Sequence, residues 1–179
     1  MEHLLGLSTI DCSRFVVATH PEIASVNFRK YSPHQLDYNP ARIAVDRDCF
    51  LNGFNPLDLI ETADRISNVV LDSRVQLTRG DEAYFLMMDL QPAKSDENLA
   101  LIQTRYKSQV LPWFGRGLLL ETGKSYHLLG INITNQAGWY NFMGRCLLMS
   151  TPHGINSTRL FVEVPDTRYV GHSMLRGSS

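Results

Sequence analysis

Long apolar runs broken by brief polar turns fill the second half of the chain, and their periods set the expected elements. Glu82 to Gln91 carries an apolar run that stops at Asp89, the pattern of a buried strand ending in an acid. Ser95 starts a helix: Asp96 and Glu97 fall in its first turn, Leu99, Ile102, Tyr106 and Val110 recur at helical spacing, and Pro112 closes it. Leu118 to Gly130 is two apolar runs around Glu121-Thr122-Gly123-Lys124-Ser125, a hairpin in which Gly123 can take the positive φ the turn requires. A helix from about Gly138 to Met149 buries Trp139, Phe142, Met143 and Cys146, which core packing explains better than a base-stacking platform. Arg159 to Val164 reads as a last strand.

The first half is less regular. Asn55-Pro56 resembles a helix cap followed by a first-turn proline, with Leu59, Ala63, Ile66 and Val70 as its apolar stripe. Phe15 to Ala18 and Ala41 to Val45 are candidate short strands, and Ser32-Pro33-His34 and Tyr38-Asn39-Pro40 are turns. Strand, helix, hairpin, helix, strand is the order of an α+β domain with helices gathered on one face of a mixed or antiparallel sheet, leaving the open face for a site. A single domain is expected over 1–179, with 1–54 as an N-terminal α/β elaboration and 55–179 as the core.

Composition narrows the class. A chain of 179 residues, 44% hydrophobic, can bury a full core. A net charge of −1 lacks the basic excess of a dedicated nucleic-acid binder unless its cations cluster. Cys12, Cys49 and Cys146 are widely separated and match neither a disulfide framework nor a zinc spacing, which suits a reduced, cytoplasmic setting. No apolar run reaches the ~18 residues of a membrane helix, and no membrane partner is expected.

Candidate chemistry concentrates at three places. The hairpin presents a cation, a hydroxyl and an imidazole in Lys124, Ser125 and His127, a set suited to gripping an anion or phosphate, although a Ser-x-His on a strand is also an ordinary half-buried hairpin. Asp89 ends a buried-looking strand and needs a partner, a metal or solvent. Asp166 follows the last strand, with Arg168, Gly171 and His172 close behind. The plain alternatives are that Asp89 and Asp166 are turn carboxylates, Arg168 a surface ion-pair partner and His172 an exposed side chain. His20, His34 and His153 read as solvated loop histidines.

In this order the motifs resemble the archaeo-eukaryotic primase superfamily, across residues 80 to 179. That family pairs a strand ending in two alternate acids with a Ser-x-His hairpin and a third strand ending in an acid that leads into Arg and Gly. The matching positions are Asp89 and Gln91, Ser125 and His127, and Asp166 with Arg168 and Gly171; Glu163, inside the last strand, competes with Asp166 for the third acid. Gln91 departs from the pattern, because an amide is a poorer ligand for a hard cation than a carboxylate.

The resemblance implies an RRM-like catalytic core and a primase-polymerase type of nucleotidyl transfer on a single-stranded DNA or RNA template. Asp89 and Asp166 would hold Mg²⁺ or Mn²⁺, while Lys124, Ser125, His127, Arg168 and His172 would bind a nucleoside triphosphate. A replication or mobile-element context, with a helicase or other replication protein as partner, follows from the same likeness. Two other readings stay open: a degenerate primase-like binder of nucleotide or nucleic acid, as Gln91 suggests, and an RRM-like single-strand binder using exposed Tyr84, Phe85, Tyr126 and Tyr140. Family members continue into another strand beyond Ser179, so the chain is expected to be either a fragment or a minimal, divergent form.

Overall fold

The computed structural model describes residues 2–4, 8–31, 42–59, 68–150 and 163–171. Their strands form one sheet: β1 (Glu2–Leu4), β2 (Ile23–Tyr31), β3 (Arg42–Asp46), β4 (Asn68–Leu77), β5 (Glu82–Leu90), β6 (Gly117–Thr122) and β7 (Ser125–Thr134). The order is β1-β6-β7-β5-β4-β2-β3; β1 runs parallel to β6 and every other pair is antiparallel. The fold is therefore α+β, and β5 and β7, which carry the first two motifs, are neighbours near the middle of the sheet.

Alternation along β5 divides the core. Tyr84, Leu86, Met88 and Leu90 point into a cluster with Ile102, Tyr106 and Val110 of α3 (Asp96–Gln109), Leu111 and Phe114 of α4 (Leu111–Phe114), and Trp139, Phe142, Met143 and Cys146 of α5 (Gln136–Leu147). Ala83, Phe85 and Met87 point the other way, against Cys12, Val16 and Val17 of α1 (Thr9–Thr19) and Phe50 of α2 (Arg47–Leu51). The helices of the core thus gather on one face as expected, while the N-terminal segment covers part of the other. The face expected to be open is partly roofed because α1 is amphipathic and must bury its apolar side.

Several local expectations give way. Phe15 to Ala18 lie in α1, not a strand: Ser8 and Asp11 form a capping box, and Cys12, Val16 and Val17 fall on one helical face, leaving Phe15 exposed. After Asn55, Pro56–Leu59 forms only a 3-10 turn, and Val70, expected on a helix, belongs to β4, where the β-branched run Val69-Val70 pairs with Lys30 and Arg29 of β2. Ala63 and Ile66 lie outside the described residues, as do His34, His153, His172 and Arg159 to Val162. His20 is tethered rather than solvated, its Nδ1 3.0 Å from Glu22 Oε1 and its Nε2 3.0 Å from the Ile131 carbonyl oxygen. The helix at Ser95 and the turn at Gly123, φ +47°, form as read, and all three cysteines are free.

Candidate functional site

The site is built on the β5–β7 pair. Asp89 and His127 are directly opposite in the ladder, and His127 Nε2 lies 2.7 Å from Asp89 Oδ1. Both remain partly open to solvent, His127 at 36% and Asp89 at 42% of their side-chain surface. A carboxylate only accepts, so the shared hydrogen sits on Nε2. The other ring nitrogen, Nδ1, is 3.3 Å from Thr9 Oγ1 at the start of α1. His127 is thereby held between a sheet carboxylate and a helix hydroxyl.

Lys124 and Ser125 sit at the hairpin end beside it. Gly123 alone takes positive φ in the two-residue turn, which puts Lys124 at its exposed corner and returns the chain in register, Thr122 opposite Ser125. Side chains alternate along β7, so Ser125 shares the His127 face. The Lys124 side chain has no partner among the described residues, while its carbonyl accepts from Lys94 N at 3.3 Å. Lys94 Nζ in turn lies 3.8 Å from Glu121.

Asp166 arrives from the other side of β5. Leu90 bridges Pro165 in an antiparallel sense, with Gln91 N donating to Val164 O at 2.9 Å and Asp166 N donating to Asp89 O at 2.8 Å. This places the third motif beside the first. Its side chain, though, is engaged: Arg168 Nε and Nη2 donate to its two oxygens at 3.2 and 2.9 Å, and the Arg168 and Tyr169 amides donate to Oδ1 at 2.9 and 3.4 Å. Hydrogen bonding from the Arg168 guanidinium holds the Asp166 carboxyl below the ordinary carboxylate range, against the opposing pull of burial. Asp166 caps the helical turn at 167–171. Glu163 accepts from the Thr167 hydroxyl at 2.6 Å, Gly171 ends the described turn in open space, and Gln91 is exposed.

Among the described residues no group of three His, Cys, Asp or Glu is placed to hold a metal ion. Among the described residues the donor set as it stands does not fit a two-metal centre, since Gln91 is neutral and Asp166 is engaged by Arg168 and backbone amides. It fits one phosphate-borne Mg²⁺ or Mn²⁺, a cation that commonly takes one or two protein carboxylates and completes its shell from phosphate and water, with Asp89 as the available oxygen donor. Nor do the named aromatics make a stacking platform among the described residues: Tyr84, Phe85 and Tyr126 are buried, Tyr84 and Phe85 on opposite faces, Tyr126 exchanges hydrogen bonds with the Ser95 backbone, and Tyr140 lies half-buried on α5, its ring 5.3 Å from that of Trp139. The expectation of exposed aromatics for single-strand binding is corrected on that ground.

The sequence model of a family described as archaeo-eukaryotic primase 1D-like matches residues 55–179. The chain belongs to this primase-like family. No curated protein and no solved structure matches it. The matched stretch includes Asp89, Ser125, His127 and Asp166, whereas Thr9 lies outside it. Thr9 escaped the sequence reading, although the Ser8 and Asp11 capping signature would have revealed its helix. No helix among the described residues is long and apolar enough to cross a membrane.

Proposed function

We propose that this primase-like domain binds a nucleoside triphosphate together with one divalent cation at the end of the β5–β7 pair, and that unaided primer synthesis is weak or absent. The observation that carries the reading is the Asp89–His127 pair, a carboxylate and an imidazole 2.7 Å apart on a half-exposed surface beside the Lys124-Ser125 turn. The Lys124 ammonium and the Ser125 hydroxyl bind phosphate oxygens at the turn. His127 turns its Nε2–H from Asp89 to a phosphate oxygen, which frees Asp89 as a hard oxygen donor. Mg²⁺ or Mn²⁺, when bound there, would offset phosphate charge and polarise the phosphoryl group.

Weak catalysis follows from the acids. In-line nucleotidyl transfer relies on paired cations held by several carboxylates, and here, among the described motif positions, Gln91 and the Asp166–Arg168 pair leave Asp89 to serve once His127 turns away. The full nucleotidyltransferase reading would require Arg168 to release Asp166. A single-stranded DNA or RNA template, and a helicase or other replication protein to deliver it, are the partners we assign on the family resemblance. Calorimetry with ATP in Mg²⁺ and again in EDTA tests the proposal. Metal-dependent binding, weakened in Asp89→Asn, is expected; equal affinity in both buffers would overturn it.

A further inference from the structure

We propose that Thr9 is a positioning residue of the nucleotide site, so that the N-terminal segment, outside the family match, completes a site whose other residues lie within it. The proposal rests on the nucleotide reading of His127 given above. A side chain with one bond at Nε2 could still rock about its χ angles, and phosphate binding requires Nε2–H to leave Asp89 without losing aim. The second bond, between Thr9 Oγ1 and Nδ1 at 3.3 Å, supplies a fixed pivot on the far side of the ring. In the tautomer with its hydrogen on Nε2, Nδ1 accepts and the Thr9 hydroxyl donates.

The pivot is itself anchored. Thr9 is the first residue of α1, next to the Ser8–Asp11 capping box, and its carbonyl accepts from Ser13 Oγ at 2.8 Å. Arg14 ties the same helix to the segment around α2, its Nε donating to Phe50 O at 3.0 Å and its Nη2 to Phe54 O. Val16 and Val17, both fully buried, lock the helix to the sheet. A hydroxyl placed by so many constraints is pre-organised, and the order it imposes on His127 is in place before ligand arrives.

A double-mutant cycle on the full chain tests this, with Mg²⁺–ATP titration and thermal melts on the same samples. Thr9→Val, which keeps shape and removes the donor, should weaken ATP binding about three- to tenfold, the worth of one hydrogen bond. Thr9→Ser should restore it, and in a His127→Ala background Thr9→Val should cost nothing further. An equal loss in both backgrounds, or no loss in either, would overturn the proposal. Nitrogen NMR of the His127 ring in nucleotide-free protein separates this claim from its parent. The Nδ1 resonance should move in Thr9→Val and return in Thr9→Ser even if the wild type binds no nucleotide, whereas an unmoved Nδ1 means that Thr9 does not hold the ring.

Discussion

Replacing Asp166 by Ala and by Asn separates the two roles this carboxylate could have. Its Oδ1 caps the turn at 167–171 through the Arg168 and Tyr169 amides, and that turn drives Val170, 3% exposed, into the core beside Val164. Loss of such a cap costs about 1 kcal/mol, which for a domain of this size lowers Tm by roughly 2–4 °C. The exposed Arg168 head adds little to that figure because its charge is solvated. Asp166→Ala should show the full drop, and Asp166→Asn, which keeps an acceptor oxygen at the cap, should melt close to the wild type. The charge has its own signature in pH. Because the folded carboxyl titrates below the ordinary 3.8, its extra stabilisation is fully present above that value and is lost as pH falls through the lower folded one. The small remaining difference between wild type and Asp166→Asn should therefore persist above pH 3.8 and close as the pH falls below it. Melting curves across pH, with Mg²⁺–ATP titration of each variant, decide the matter. If Asp166→Asn melts like the wild type yet loses metal-dependent ATP binding, Asp166 is a metal ligand and the assignment of Asp89 as the lone donor fails.

Gln91→Asp adds an acid two residues past Asp89, just beyond the end of β5, and should tighten Mn²⁺ binding and raise nucleotide incorporation on a single-stranded template in a gel extension assay; unchanged Mn²⁺ affinity would show that position 91 does not reach the cation. His127→Ala should weaken Mg²⁺–ATP binding about tenfold or more, as loss of a hydrogen bond to a charged group does, while melting within a few degrees of the wild type. Loss of stability with normal binding would make His127 a core residue. Gly130→Ala should cost about 1–3 kcal/mol, because a Cβ there would stand 2.7 Å from Leu86 Cβ in the packed sheet; a melt matching the wild type would show that β7 yields at this point.

The motifs were legible where one local pattern settles one element. The unbroken apolar run of β5, the Ser95 cap and the Gly123 turn each specify a backbone state without help from distant residues, so the Asp89 strand and the His127 hairpin could be placed in advance. Long-range pairing was not readable. Val70 fits a helical stripe after Pro56 equally well, and only the presence of β2 across the sheet selects the strand. Phe15 to Ala18 looked β-rich because valine favours strands, but the capping box and the burial of Val16 and Val17 outweigh that preference. The contact of Thr9 with His127 spans 118 positions of sequence and could not be inferred from spacing. For Asp166 the Asp-x-Arg spacing was visible, yet whether Arg168 would point at a phosphate or back at its neighbour depends on the turn that Asp166 caps.

Paramagnetic broadening by Mn²⁺–ATP locates the cation without depending on turnover. In spectra of the full chain, substoichiometric Mn²⁺ with excess ATP should selectively broaden the amides of Asp89 and Leu90 and the ring signals of His127, and Asp89→Asn should abolish the effect. Broadening centred elsewhere on the sheet, or an unchanged pattern in Asp89→Asn, would contradict a nucleotide and metal site at the Asp89–His127 pair.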